Sequence, residues 1–119
     1  MATVFAEDPC PFGAAVEILL PRWTSHILWV LTEHGTLRFS EIRTLIPDIT
    51  PKVLTTRLRG LERDGLVERV RHAEVPPRVE YATTDLADTL RPVFGTLANW
   101  TDRYSDEVSC ARDLFDART

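Results

Sequence analysis

Five polar side chains, none of them acidic, recur on one face of the segment between residues 50 and 64. They are Lys52, Thr55, Thr56, Arg59 and Arg63. Spacings of three and four residues place such side chains on one side of an α-helix. Lysine and arginine bind nucleic-acid phosphates, and an arginine fork pairs with the acceptor edge of guanine, so Arg59 is the best candidate for a base contact. The pattern suits entry into a DNA major groove, although any solvated helix also has a polar face.

The same segment carries the signals that begin and end a helix. Thr50 can cap the first turn, and Pro51 suits the first helical position because its missing N–H would have no partner there. Gly65 follows the last turn, where a left-handed cap is common. The apolar residues opposite the cations are Leu54, Leu58 and Leu61. The sequence therefore predicts an amphipathic helix whose leucine face packs on a core.

The helices that precede this segment complete a helix-turn-helix pattern. Apolar periodicity predicts a first helix over Cys10–Leu20, a second over Arg22–His34 and a third that begins at Phe39 or Ser40. The inward-facing residues of the third helix are predicted to be Ile42, Leu45 and Ile46. A Pro-Asp pair ends this helix, and a short turn leads into the cationic one. In such a motif Arg38 and Ser40 would lie where the first helix meets the DNA backbone.

A β-hairpin is predicted directly after the cationic helix. Leu66–His72 and Arg78–Thr84 read as strands, the second with clear alternation, and the prolines in the link Ala73–Pro77 prevent strand pairing at its tip. A hairpin in this place is the wing of a winged helix, and its basic residues are Arg69, Arg71 and Arg78. We expect Arg71 and Arg78 to contact phosphate or the minor groove, although hairpin charges also serve to block edge pairing.

An apolar stripe runs along the last predicted helical stretch, which Thr84 or Asp85 would cap. The stripe consists of Leu86, Leu90, Val93, Leu97, Trp100, Tyr104 and Val108. Pro92 is expected to kink the helix, since proline removes a backbone hydrogen bond and clashes with the preceding turn. A small domain has too little core to cover so long a stripe, so the excess apolar surface indicates a partner helix from a second copy of the chain.

Composition indicates one ordinary globular domain over residues 10–119, preceded by a flexible N-terminus over residues 1–9. The net charge of −4 is unevenly distributed, because residues 38–72 hold eight Lys/Arg against five acids. A basic middle and an acidic end fit a binding face and a remote face on one molecule. The sequence shows neither a signal peptide nor an apolar run that could span a membrane, so a cytoplasmic location is expected.

Several kinds of chemistry have no support in the sequence. The histidines, which are His26, His34 and His72, lack metal-ligand spacing. There is no nucleophile–base grouping and no Gly-rich phosphate loop, so neither an enzyme nor a cofactor is predicted. The tryptophans are Trp23, Trp29 and Trp100, and they are interpreted as core or dimer residues. A ligand pocket lined by them, and with it a small-molecule effector, stays an open alternative.

The order of elements and several motifs together resemble the HxlR-type group of bacterial winged helix-turn-helix regulators. The matching pieces are Cys10-Pro11, the Trp23-containing helix, RFSEIR (38–43), ITPKVLTTRLRGLERDGLV (49–67) and EVPPRVEYATTDLADTL (74–90). The resemblance runs from Cys10 to about Trp100, and EVPPRVEY is its most specific piece. It implies a mainly α chain with a small β-hairpin, a winged helix-turn-helix with N- and C-terminal dimerisation helices. It also implies a homodimer that binds double-stranded DNA and regulates transcription.

Two departures from the family pattern bear on the dimer and on what it senses. Pro21-Arg22 stands where many members have Gly-Lys, and the segment after Trp100 is long and contains Cys110. Some members of the family respond to oxidants or electrophiles through the N-terminal cysteine, which corresponds to Cys10. Cys10 would gain thiolate character at a helix start, and Cys110 of the other subunit could be its resolving thiol. The alternative is that Cys10 is a small packing residue, and Glu7 and Asp8 would disfavour a thiolate.

Two function classes compete on this sequence. The first is a sequence-specific regulator that binds a near-palindromic operator as a homodimer and is open to redox or electrophile control. The alternative is a winged-helix protein-interaction module that does not bind DNA. The cationic face of Lys52, Arg59 and Arg63 favours the first, because an interaction module would tolerate acidic or apolar residues there.

Overall fold

The computed structural model describes residues 9–118, so the predicted flexible N-terminus lies outside the described residues except for Pro9. The helices are α1 (Gly13–Leu19), α2 (Thr24–His34), α3 (Phe39–Leu45), α4 (Pro51–Arg63), α5 (Asp85–Asp88) and α6 (Arg91–Asp116). The strands are β1 (Leu37–Arg38), β2 (Val67–His72) and β3 (Arg78–Thr83). The chain forms two compact units, which meet in sequence between Ala87 and Asp88. One domain over residues 10–119 stays a prediction.

The core of the first unit joins α2, α3 and α4. Its fully buried side chains are Ile27, Leu31, Ile42, Ile49, Leu54 and Val67. Leu54, Leu58 and Leu61 are all buried, as the leucine face of the cationic segment predicts. This burial fixes the rotation of α4 about its own axis, because the opposite side of the helix must then face outward.

Local chemistry determines where α4 begins and ends. Thr50 Oγ1 accepts a hydrogen bond of 3.2 Å from the backbone N–H of Val53, and Pro51 occupies the first turn. At the other end Gly65 adopts a φ of +78°, and the backbone N–H of Leu66 donates to the Leu61 carbonyl at 2.9 Å. These contacts confirm the helix between residues 50 and 65 that the capping residues predict.

The predicted wing is part of a three-stranded antiparallel sheet with the order β1-β3-β2. β2 pairs with β3 from Val67 opposite Thr83 to His72 opposite Arg78, and β1 adds Leu37 opposite Tyr81. Because β3 lies between two strands, all six of its residues are half-buried. A mainly helical chain with a winged helix-turn-helix architecture is thereby confirmed.

Three local expectations were wrong, each where a tertiary or capping effect prevails. Helix α1 begins at Gly13, and Cys10 lies in the turn before it, where its carbonyl accepts from the Gly13 N–H at 3.0 Å. Leu45 is 39% exposed rather than turned inward. Pro92 does not kink one long helix. Instead α5 ends at Asp88, and Pro92 lies in the first turn of a separate helix, α6, where proline is well tolerated.

Replacing either of two glycines near the end of α4 by alanine should change the free energy of unfolding, and the two changes should have opposite signs. Nothing lies within 4 Å of a Cβ built on Gly60, so Gly60→Ala should raise the free energy of unfolding by about 0.5–1 kcal/mol. Gly65 has a φ of +78°, so Gly65→Ala should lower it by about 1–2 kcal/mol. Urea unfolding, monitored by circular dichroism, measures both changes in the free energy of unfolding. Gly95→Ala in α6 serves as a second helical site at which nothing lies within 4 Å of the added Cβ. Equal shifts for Gly60→Ala and Gly65→Ala would contradict this account of the cap.

Candidate nucleic-acid interface

The outward face of α4 carries cations that form no ion pair with any carboxylate in residues 9–118. Lys52, Arg59 and Arg63 are all exposed. Among residues 9–118, none of these three side chains takes part in an ion pair, since the pairs within 4.0 Å involve other residues. Lys52 and Arg63 are eleven positions apart, so the face extends about 16 Å along the helix axis. An uncompensated cationic strip of this length on an exposed helix matches the phosphate and base contacts of a major-groove helix.

The two threonines of this face have their hydroxyl protons engaged within the helix. Thr55 Oγ1 donates to the Pro51 carbonyl at 2.9 Å, and Thr56 Oγ1 donates to the Lys52 carbonyl at 3.0 Å. Both side chains are exposed, so each presents a methyl group and an oxygen lone pair outward. In this geometry they can accept a hydrogen bond from a base or contact a thymine methyl, but they cannot donate to a phosphate.

Arg57 differs from the other basic residues of α4. Its Nε donates a hydrogen bond of 2.8 Å to the backbone carbonyl of Arg22, thirty-five residues earlier, and its side chain is half-buried. Sequence reasoning counted Arg57 among the basic residues and gave it no role. The available signal was its helical position, which is 200° from Arg59 and beside the leucine face.

A cleft of about 500 Å³ separates the start of α3 from the wing tip. Arg38, Phe39 and Ser40 form one wall, and the segment from Glu74 to Val79 forms the other. The backbone N–H of Arg38 donates to Glu41 Oε1 at 2.8 Å, which caps α3 and leaves the exposed Arg38 side chain outward. The structure thus brings three predicted site residues, Arg38, Ser40 and Arg78, to the same cleft.

The wing arginines differ in whether a carboxylate pairs with them. Arg78 Nη2 lies 3.4 Å from a carboxylate oxygen of Glu74, and Arg78 Nε lies 3.4 Å from one of Glu80. The Nε atom is shielded from solvent and forms no hydrogen bond with the described residues. Glu80 also lies 2.5 Å from His72 Nε2. Arg71 is exposed and has no such ion pair among the described residues, whereas Arg69 lies 3.8 Å from Glu62. Arg71 is therefore the wing cation best placed to meet a phosphate, and Arg78 is held in the hairpin.

The two cysteines lie in different units. Cys10 is half-buried and precedes α1, and Cys110 is exposed on α6. Within residues 9–118, no cluster of three or more His, Cys, Asp and Glu side chains has the arrangement of a metal site. None of the helices in that range combines the length and apolar character that a bilayer crossing requires.

A short helix, a turn, an outward-facing cationic helix and a β-hairpin define the winged helix-turn-helix class of DNA-binding domains. The family model of the HxlR-like helix-turn-helix matches residues 18–109. The chain therefore belongs to the HxlR-like helix-turn-helix family, as its motifs predicted. It is a transcriptional regulator of the helix-turn-helix type and not an enzyme.

Known proteins resemble the chain in both sequence and structure. It is 39% identical over 101 residues to the uncharacterized HTH-type transcriptional regulator YdeP of Bacillus subtilis, which covers 85% of this chain and 78% of YdeP. The reduced form of the transcriptional regulator YodB from B. subtilis superposes with a TM-score of 0.73 at 38% identity, covering 80% of this chain and 93% of YodB. The redox regulator HypR in its reduced form superposes with a TM-score of 0.79 at 32% identity, and the match covers 85% of this chain and 99% of HypR. Diamide-treated YodB and oxidised HypR are similar to the chain as well, with TM-scores of 0.69 and 0.72.

Proposed function

We propose that this regulator binds a specific duplex sequence by inserting α4 into the major groove. The observation that carries the proposal is the exposed face of Lys52, Arg59 and Arg63, which form no ion pair with a carboxylate of the described residues. Arg59 lies between the other two, so it reads a guanine edge while the outer cations bind phosphates on either side. Thr55 and Thr56 supply a methyl group and an acceptor to neighbouring bases, in keeping with their internal hydrogen bonds.

The remaining predicted residues support this helix from the flanks. Arg38 and Ser40 meet the DNA backbone at the start of α3, and Arg71 on β2 contacts phosphate or the minor groove. Arg78 has a different part in the proposal, because its guanidinium is already paired with Glu74 and Glu80. It fixes the shape of the wing, so removing it disturbs the hairpin before it removes a phosphate contact.

We also propose that the regulator acts as a homodimer on a near-palindromic site. Helix α6 has no buried residue within the described chain, and its stripe leaves Val93, Leu97 and Trp100 between 44% and 54% exposed. Val16 on α1 and Phe12, the residue directly before this helix, add exposed apolar surface. A two-fold dimer covers such surfaces with copies of themselves and sets two α4 helices about 34–36 Å apart, one turn of DNA.

The competing proposal, a protein-interaction module without DNA binding, leaves the cationic face unexplained. Selection of binding sites from a pool of random duplexes tests the two proposals against each other. We expect enriched sites with two inverted half-sites whose centres are about 10–10.5 base pairs apart. A pool that stays random after repeated rounds at physiological salt would favour the interaction module.

Oxidation should change the DNA binding of this regulator through Cys10. The reason is the N-terminal position of the thiol in a chain 32% identical to a redox regulator. In the proposed reaction diamide takes up two electrons and two protons, and Cys10 and Cys110 of two subunits form an intermolecular disulfide if their α-carbons come within about 7 Å. We expect a dimer-sized band on a non-reducing gel and an altered DNA affinity after diamide treatment.

Single replacements separate this reaction from nonspecific oxidation. Cys10→Ser and Cys110→Ser should each remove the cross-linked band, and Cys10→Ser should also keep its DNA affinity in the presence of diamide. If wild-type protein and Cys10→Ser both show no band and no change in affinity, Cys10 is a packing residue.

A further inference from the structure

The turn between α1 and α2 contains a strained residue. Trp23 has a φ of +78° and a ψ of −11°, which lie in the left-handed region. Among residues 9–118 it is the only residue other than glycine with a positive φ. A bulky side chain is rare in this region, and such strain persists only where surrounding contacts hold it. The turn therefore depends on its neighbours for its conformation.

Contacts from two sides hold this turn in place. The guanidinium of Arg22 lies 4.8 Å from the centre of the Trp23 ring, and the backbone N–H of Thr24 donates to the Pro21 carbonyl at 3.1 Å. A further contact comes from α4, where Arg57 Nε donates to the Arg22 carbonyl at 2.8 Å. A charged donor makes this bond stronger than an ordinary backbone bond.

The junction that this bond bridges is loosely filled. A cleft of about 210 Å³ has Glu17 and Ile18 of α1 on one side and Thr56 and Gly60 of α4 on the other, with Arg57 in its wall. Where a cleft takes the place of interlocking side chains, a single directed bond has a larger part in fixing the two elements relative to each other. Arg57 also points away from the side of α4 that carries Arg59, because two helical positions differ by 200°.

We infer that Arg57 is a positioning residue that ties the orientation of the reading helix α4 to the turn at Trp23. It contacts no DNA itself. The buried leucines decide which side of α4 faces outward, and Arg57 ties that helix to the α1–α2 turn, so that displacements of α1 and of the turn reach the DNA-reading face. The inference rests on the proposed DNA binding for its functional consequence, while its structural part concerns the free protein.

Two replacements isolate the hydrogen bond from the bulk of the side chain. Arg57→Met keeps a long unbranched side chain but has no donor, whereas Arg57→Lys keeps both a donor and a charge. In free protein, hydrogen exchange should be about tenfold faster at the Thr24 and Ile27 amides of Arg57→Met, because these amides donate to Pro21 and Trp23 in the strained turn. Arg57→Lys should restore much of the wild-type protection.

Binding to the selected duplex provides the second readout. Arg57→Met should bind between about twofold and thirtyfold more weakly, the range typical of residues that couple sites without touching the ligand. Its salt dependence should equal that of the wild type, because no phosphate contact is lost. Arg57→Lys should bind more tightly than Arg57→Met.

Each contrary outcome has a definite meaning. A salt slope reduced by about one for each subunit in Arg57→Met would show a phosphate contact and overturn the inference. Unchanged amide exchange in the turn would overturn it as well, even with the protein free of DNA. If Arg57→Met fails to fold, Arg57→Lys decides the matter, since most of the wild-type protection at Thr24 together with most of the wild-type affinity is then required. If the wild type binds no duplex while the exchange result holds, the proposed function fails and the positioning of α4 stands.

Discussion

Replacing Leu97 by glutamate should convert the regulator into a monomer and weaken its binding to a two-half-site duplex by about 10²–10⁴-fold. Leu97 lies in the middle of the apolar stripe of α6 and is 52% exposed, so the replacement removes little from the fold of one chain. In a two-fold dimer the same position meets its own copy or a neighbour of it, and two buried carboxylates would face apolar surface without partners. The second half-site then no longer contributes to binding.

Sedimentation equilibrium at micromolar concentration, followed by a DNA titration on the same sample, measures both effects. Asn99→Glu is the matched control, because it adds the same charge two positions later, on the opposite side of α6. The control should remain a dimer with wild-type affinity. A Leu97→Glu protein that sediments as a dimer would refute a dimer interface on this stripe.

Arg59→Ala should reduce sequence preference more than it reduces binding. One bidentate contact between arginine and guanine discriminates against the wrong base by about 1–3 kcal/mol, so preference at that base pair should fall by about 5–150-fold. Binding to unrelated duplexes should change much less, because Lys52 and Arg63 still bind phosphates. The ratio of affinities for the selected duplex and a scrambled one is the quantity to measure.

Arg71→Ala is the matched comparison, since it removes the same side chain from the wing. It should weaken binding to both duplexes by a similar factor and reduce the salt slope by about 1.8, because the dimer loses one phosphate contact in each subunit. If Arg59→Ala keeps the wild-type ratio of specific to nonspecific affinity, the assigned reading face of α4 is wrong.

The reading helix could be predicted because its determinants are local. A capping threonine, a first-turn proline, leucines at helical spacing and a following glycine all lie within sixteen consecutive residues. Burial of Leu54, Leu58 and Leu61 then places the cations outward without any further information. The wing was predictable for a similar reason, since alternation along Arg78–Thr83 and two adjacent prolines suffice for a hairpin.

The roles of individual arginines could not be predicted from residue type alone, because they depend on the partners that the fold brings to each side chain. The helical position of Arg57 places it away from Arg59, but its partner, the Arg22 carbonyl, lies thirty-five residues away in sequence. Arg78 and Arg71 are both wing arginines, yet Arg78 pairs with Glu74 and with Glu80, two residues further along β3, whereas Arg71 is exposed. Sequence alone therefore yields the set of cations but not the subset available to DNA.

The break before α6 has a different origin. The stripe from Leu86 to Val108 has an unbroken helical period, so the pattern predicts one helix with a kink. Residues 89 and 90 form a turn between α5 and α6, although Leu90 keeps right-handed helical backbone angles, and Pro92 takes a first-turn position where it needs no partner for a missing N–H. Apolar periodicity shows which residues share a face, but it does not show where backbone hydrogen bonding stops.

An acidic protein that binds DNA must do so through a local concentration of cations, and salt dependence tests that claim most directly. The measurement is a titration of the wild-type protein with the selected duplex and a scrambled duplex across a series of salt concentrations. With Arg38, Lys52, Arg63 and Arg71 of two subunits at phosphates, we predict that the logarithm of the association constant falls linearly with the logarithm of salt, with a slope of about −7. The selected duplex should bind more tightly at every salt concentration. Affinity that is independent of salt, or equal for the two duplexes, would contradict the account.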